Sequence, residues 1–165
     1  NLTLRDRPFS RGYFPAWDNV IYDSPSLGYV SATHQSLRDY GPTVWTYYLP
    51  LSDADVTAAR RRLLEASWQE WADVVVTDLT RAHPDLKKQL ARIDVMRWGH
   101  AMIRPVPGFI WGPDRRRAQE PFRGIHFAHT DLSGMALFEE ANDHGIRAAE
   151  AVLEALGRPS PSIRA

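Results

Sequence analysis

Gly124-Ile-His-Phe-Ala-His129, with Thr130-Asp-Leu-Ser-Gly134 behind it and the run from Phe138 to Gly157 beyond, is the stretch from which the fold is read. The first six residues are an apolar run that starts on a glycine and stops at the polar cluster Thr130, Asp131, Ser133 and Gly134. That is the pattern of a buried strand entering a tight loop. Phe138, Ala141, Gly145, Ala148, Ala149, Val152 and Leu156 then recur at three- and four-residue spacing, with Glu139, Glu140, Asp143, Arg147, Glu150 and Glu154 mostly between them. The spacing predicts an amphipathic helix about five turns long whose apolar face packs on something large. Ser133 falls at the expected N-cap, Gly157 at the expected left-handed C-terminal position, and Pro159 where a helix cannot continue. Gly145 costs about 1 kcal/mol relative to alanine, so with Ala141, Ala148 and Ala149 it marks a face built for close approach. A strand, a polar turn and a helix N-terminus would gather backbone N–H groups around one point, where an anionic or electron-rich ligand group could rest. An ordinary strand–loop–helix unit with no ligand fits the same local pattern.

The whole chain has 165 residues, zero formal net charge, 44 % hydrophobic residues and no cysteine. This is the composition of an ordinary soluble protein with a real core. Without a basic excess, neither nucleic acid nor an anionic membrane is expected as the main ligand. The lack of cysteine excludes disulfides, zinc–thiolate sites and thiol nucleophiles and leaves the compartment open, with the cytoplasm favoured. No apolar run reaches the roughly 18 residues of a membrane span.

Asn1-Leu2-Thr3-Leu4 lacks an initiating Met and alternates like a strand already under way, so a C-terminal piece of a longer polypeptide is expected. From Pro8 to Pro50 the chain reads as β-rich, with strands at Asn19–Asp23, Leu27–His34 and Thr43–Leu49 that suit an antiparallel sheet. Tyr29, His34, Trp45, Tyr47 and Tyr48 supply aromatic side chains to its faces, mostly as core. Ser52-Asp-Ala-Asp55 and Ser67-Trp-Gln-Glu70 read as capping boxes. The first helix would turn Val56, Ala59, Leu63 and Leu64 inward, and the second Trp68, Trp71, Val75, Val76 and Leu79. Arg60-Arg-Arg62 and Arg115-Arg-Arg117 read as solvated faces. A helical turn is expected at Asp85–Leu90 and a strand at Ile93–Trp98.

Trp98-Gly-His-Ala-Met-Ile-Arg-Pro105 and Pro107-Gly-Phe-Ile-Trp-Gly112 contain too much Gly and Pro for a long helix and too much Trp, His, Met and Phe for a solvated loop. His100 there is a candidate for a polar group facing a cavity, or a buried histidine with one satisfied hydrogen bond. His126 and His129 are three apart, which in an extended strand places them on opposite faces, so no metal site is expected there unless the strand ends between them. Ser133, His100 and Asp131 have the residue types of a hydrolase triad, but Ser133 lacks a Gly-x-Ser-x-Gly elbow.

The segment Phe127 to Leu153 resembles the C-terminal signature of FAD-dependent amine oxidases and their protoporphyrinogen oxidase and phytoene desaturase relatives. In that family a strand ending Phe-Ala-Gly-Asp or Phe-Ala-Gly-Glu precedes a loop and a helix of pattern Glu-Gly-Ala-x-x-Ser-Gly-x-x-Ala-Ala. Glu139, Glu140 and Ala141 stand at the first three helix positions, Gly145 at the later glycine, and Ala148 and Ala149 at the closing pair. The chain departs from the pattern at His129 and Thr130, where a glycine and an acid are usual, and at Glu140, which replaces a glycine. Asp131 brings the acid one residue late. Trp98 to Pro105 resembles the Trp-containing segment that in the family lies near the flavin ring.

The resemblance implies an α+β architecture in two parts. Residues 1–112 would be part of a substrate-binding domain, an antiparallel sheet with covering helices. Residues 113–165 would return to the FAD-binding domain as the final strand and helix of a Rossmann-like fold. It implies Trp98 and His100 at the substrate, Thr130, Asp131, Ser133, Gly134 and Phe138 as FAD contacts, and hydride transfer from a substrate C–H, such as one alpha to an amine, to flavin N5. A helix start at Ser133–Ala136 would face the N1–C2=O edge of the ring. The expected partners are a small-molecule substrate and the N-terminal FAD-binding half of the same polypeptide, because Gly-x-Gly-x-x-Gly after a strand is absent from these residues. Without that half, little FAD affinity and no turnover are expected. A standalone, non-catalytic α+β domain binding a ligand or partner around Trp98 and Trp111 is the alternative.

Overall fold

Leu2 and Leu4 alternate with Thr3, and in a strand that alternation sends both leucines to one face. In the computed structural model, which describes residues 1–52 and 55–163 but not the side chains of His34 and Ser36, this strand is β1 (Leu2–Leu4), with both leucines 1 % exposed. It lies inside a five-stranded antiparallel sheet with β2 (Asp18–Asn19), β3 (Gly28–Ser31), β4 (Thr43–Tyr48) and β5 (Leu90–Ile93), in the order β2-β3-β4-β1-β5. Leu2 sits between Trp45 on β4 and Ile93 on β5, and Leu4 between Thr43 and Leu90. Tyr29 stacks on Trp45 with ring centroids 4.4 Å apart.

The helices of this part are α1 (Thr33–Ser36), α2 (Val56–Glu65), α3 (Trp68–Ala82) and α4 (Leu86–Gln89). Leu79 of α3 and Leu86 of α4 join Leu2, Leu4, Tyr29 and Trp45 in one buried cluster. The fold class is therefore α+β, an antiparallel sheet with helices, as the sequence pattern led us to expect. The capping box at Ser67 forms in both directions: Glu70 N–H donates to Ser67 Oγ, and Ser67 N–H donates to Glu70 Oε2. The box expected at Ser52–Asp55 includes Asp53 and Ala54, which lie outside the described residues. The N-cap of α2 is Asp55 itself, whose carboxylate accepts from the Thr57 and Ala58 N–H groups.

Several boundaries differ from expectation, for reasons of pairing. The strand expected at Ile93–Trp98 is not formed there: β5 occupies Leu90–Ile93 and shares only Ile93 with it, because β1 offers only three residues and the last bond runs from Asp94 N–H to the Asn1 carbonyl. The strand expected at Leu27–His34 is β3 followed by the helical turn α1, and the Asn19–Asp23 strand shortens to β2. Val56 and Leu64, expected inward, are 61 % and 58 % exposed, whereas Ala59 is buried. Tyr48 is 46 % exposed, and Trp68 is half-exposed with its indole N–H donating to the Ile93 carbonyl. The His34 side chain lies outside the description. The arginine run of α2 is not simply solvated: Arg60 donates to the Gly99 carbonyl at 2.5 Å, and the Arg62 guanidinium lies 5.1 Å from the centre of the Trp71 ring.

The chain divides into two compact units, Asn1–Gly99 and His100–Ala165. The second holds α5 (Pro113–Ala118), a short 3-10 turn (Thr130–Leu132) and α6 (Phe138–Ala155). The 18 residues of α6 make the five turns expected from the periodicity. Its C-terminus is a Schellman motif: Gly157 has φ +69°, its N–H donates to the Glu154 carbonyl, and the Arg158 N–H donates to the Leu153 carbonyl. Among the described residues no helix is long and apolar enough to cross a membrane.

Candidate functional site

The residues named for the FAD site, Thr130, Asp131, Ser133 and Gly134, do share one turn, but its construction differs from the expected one. The buried strand expected at Gly124–His129 is not formed. Arg123 and Gly124 have φ of +50° and +80°, the signature of a type I′ turn, and it closes on the single pair Phe122 and Ile125. Ile125 and Phe127 are 57 % and 41 % exposed, and among the described residues the segment pairs at no position beyond that bridge. Gly124 is thus a turn residue rather than the first residue of a strand.

Nor is Ser133 the N-cap of the long helix. Its hydroxyl donates back to the Thr130 carbonyl at 3.0 Å, and the Ser133 and Gly134 N–H groups donate to the same carbonyl, each at 3.1 Å. Leu132 N–H is spent on the His129 carbonyl and Asp131 N–H on His129 Nδ1. The amides expected to converge on a ligand therefore close the turn on itself. The helix starts later, at Phe138, with Leu137 as an N-cap that offers no side-chain acceptor. The Asp131 carboxylate lies 3.1 Å from His129 Nδ1, with both side chains about half exposed or more.

Two side chains hold this turn that the sequence reading had left in solvent or passed over. Arg115 of α5 donates to the carbonyls of Leu132, at 2.7 Å, and of Ile110, and Gln119 donates to the Leu132 carbonyl at 2.8 Å. Arg115 is therefore a clamp, not part of a solvated face. Gly134 has φ +78°, and a Cβ there would come within 2.9 Å of the Phe109 ring, so only glycine fits without displacement.

The face that α6 turns inward is the second departure. Its one fully buried residue is His144, 4 % exposed, whereas Phe138, Val152 and Leu156 are 80 %, 37 % and 68 % exposed. Ala141 and Ala149 are exposed too, and a Cβ added at Gly145 would meet nothing within 4 Å. The apolar stripe read from the sequence exists but faces outward. Burial, and then the charge of Arg147 and Arg115, hold the His144 imidazole below its ordinary pKa, against the pull of Asp143 and Glu140.

Trp98 belongs to the first unit and is 69 % exposed; His100 opens the second and is exposed. Trp111 is 79 % exposed. Side chains as open as these do not by themselves wall an enclosed cavity. Among the described residues no group of three or more His, Asp or Glu side chains could hold a metal ion. The first unit carries an open groove of about 820 Å³ lined by Trp17, Thr33, Leu37, Arg38 and Asp39, none of which was expected at a site from the sequence.

The first unit also contains a buried polar network. Asp78, 6 % exposed, accepts from Ser24 Oγ at 2.6 Å and Tyr47 Oη at 2.9 Å on one carboxylate oxygen and from Arg81 at 3.0 Å on the other. Burial raises the Tyr47 phenol to about 12. Beside it, His83 Nδ1 lies 3.1 Å from the Phe9 carbonyl. A carbonyl only accepts, so Nδ1 carries the proton, and Nε2 accepts from the Tyr29 hydroxyl at 2.8 Å. Asp78 falls seven residues after Trp71 and three after Val75, on the inward stripe already read for α3, and that placement was the available signal. His144 gave the opposite signal, since the stripe assigned inward does not include it.

No family model matches this chain, and neither a curated protein nor a solved structure matches it.

Proposed function

We propose that this chain is the C-terminal part of an FAD-dependent oxidoreductase of the amine oxidase type, its second unit completing a flavin-binding domain supplied by other residues. The single observation that supports the reading most is the outward apolar face of α6. Burying a Phe, Val or Leu side chain is worth about 1.5–3 kcal/mol, so Phe138, Val152 and Leu156 leave a substantial driving force unused. The exposed apolar segment at Ile125 and Phe127 points the same way. A final helix and an unpaired apolar segment, both without the sheet and second helix that would cover them, would look like this.

The residues present fit the rim of such a site rather than a whole one, because the amides of Leu132, Ser133 and Gly134 are consumed within their turn. A bound flavin would supply the hydride acceptor for the substrate C–H bond. Gly134 would allow close approach beside Phe109, Thr130 and Asp131 would border the ring, and Phe138 would shield it. Trp98 and His100 would face the substrate. The test is to express the polypeptide encoded by the complete reading frame, with riboflavin supplied in excess, and to record its visible absorbance and the residues upstream of Asn1. Bound FAD, bleached by an amine under anaerobic conditions, with Gly-x-Gly-x-x-Gly upstream, is the expected result. Purified protein free of flavin, from a frame without that fingerprint, would overturn the proposal in favour of a standalone binding domain.

A further inference from the structure

His144 is buried on α6 with both ring nitrogens free of any hydrogen-bond partner. A neutral imidazole tolerates this at the cost of one unpaired donor and one unpaired acceptor. A protonated one would present two donors and a full charge with no acceptor. The charges acting on the ring are Glu140, Asp143 and Arg147 from its own helix and Arg115 from α5. Two carboxylates oppose two guanidinium groups, so the surroundings offer no net compensation for a third cation. Asp131, the carboxylate of the 3-10 turn that packs against α6, lies at the surface beside His129. Arg115 is already committed to the Leu132 and Ile110 carbonyls, which fixes its positive charge in place.

We propose that His144 is a pH-sensitive latch: neutral, it lets α6 seat on the Thr130–Leu132 turn, and protonated, it drives the helix off. The direction follows from linkage. The pKa in the seated helix lies below that of a free imidazole, near 6.5, so the seating is fully present above about pH 6.5 and is lost as pH falls through the lowered value. One proton is involved, so the equilibrium changes by at most about tenfold per pH unit across that window. The consequence is a helix whose outward apolar face and inward polar face are both released on mild acidification.

The experiment is amide hydrogen exchange on the whole chain between pH 8 and pH 5, corrected for intrinsic exchange, in the wild type, His144→Gln and His144→Phe. In the wild type, protection of the α6 amides is expected to fall by up to about tenfold per pH unit below about 6.5. Both variants should flatten that profile while α5, in the same unit, keeps its wild-type protection, which shows that the second unit persists. The His144 ring resonances should titrate together with the α6 amide shifts in the wild type, a readout that does not depend on either variant folding. Constant α6 protection in the wild type, an unchanged profile in either folded variant, or a ring that titrates without moving the α6 amides would overturn the proposal.

Discussion

Replacing Asp78 by alanine should remove a large part of the stability of the first unit. The carboxylate ties the 22–26 segment to α3: Ser24 and Tyr47 donate to it at 2.6 and 2.9 Å, and Arg81, which pairs with it, also donates to the Tyr22 and Asp23 carbonyls. The two short bonds to a charged acceptor are worth about 1.5–3 kcal/mol each. The third hydroxyl contact, from Ser26 at 3.4 Å, is too long to add much. The Arg81 side chain is 45 % exposed, so its ion pair counts for about 1 kcal/mol at most. Water can reach part of Ser24 once the carboxylate is gone, which trims the sum to about 3–5 kcal/mol, in line with breaking a buried pair by removing one partner. Tyr47→Phe removes one donor and leaves Ser24 and Arg81 donating to the carboxylate, so it should cost about 1.5–3 kcal/mol, less than Asp78→Ala. Urea unfolding at pH 7 followed by tryptophan fluorescence measures both, and the double variant should be less damaged than the sum of the singles by about 1 kcal/mol or more. A loss below about 1 kcal/mol for Asp78→Ala, or strict additivity with Tyr47→Phe, would show that the carboxylate does not tie the two segments together.

Two further perturbations test other parts of the same unit. Gly28 has φ +98°, and a Cβ there would lie 2.0 Å from the Asn19 carbonyl oxygen, so Gly28→Ala should cost about 2–6 kcal/mol of strain and displacement and uncouple β2 from β3; urea curves within about 0.5 kcal/mol of wild type would contradict this. Burial raises the phenols of Tyr29 and Tyr47 to about 12, above their unfolded value of about 10, so both contribute stability below pH 10 that is lost as pH rises toward 12. Unfolding midpoints measured from pH 9 to 12 should fall less steeply in Tyr29→Phe, and parallel curves would count against this.

Much of the first unit was legible because its signals are local. The alternation of Leu2 and Leu4, the aromatic strand around Trp45 and the box at Ser67 each depend on a few neighbouring residues. The Schellman end at Gly157 is of the same kind, since a left-handed residue after a helix is a matter of one φ angle. A local pattern does not name the partner that a segment needs. Gly124 to His129 has the composition of a strand, but a strand needs a ladder, and the type I′ turn at Arg123–Gly124 supplies only one paired residue. Ser133 has the chemistry of an N-cap, yet its hydroxyl finds the Thr130 carbonyl first. The arginine runs looked solvated because charge alone does not reveal the carbonyls waiting for Arg115 and Arg60.

The amino-acid sequence already carried the three longest helices, the strands around Leu2 and Trp45 and the antiparallel α+β pattern, because those rest on side-chain periodicity and on hydrogen bonds between residues a few positions apart; the strands expected at Gly124–His129 and Ile93–Trp98 needed a pairing partner that the local pattern does not supply. Only the tertiary structure decided that Asp78 is a buried acceptor, that Arg115 closes a turn, and that α6 presents His144 inward and its apolar stripe outward. Those depend on which groups lie across from a residue in space, and hydrophobic burial, being non-directional, shows that an apolar face must be covered without naming what covers it.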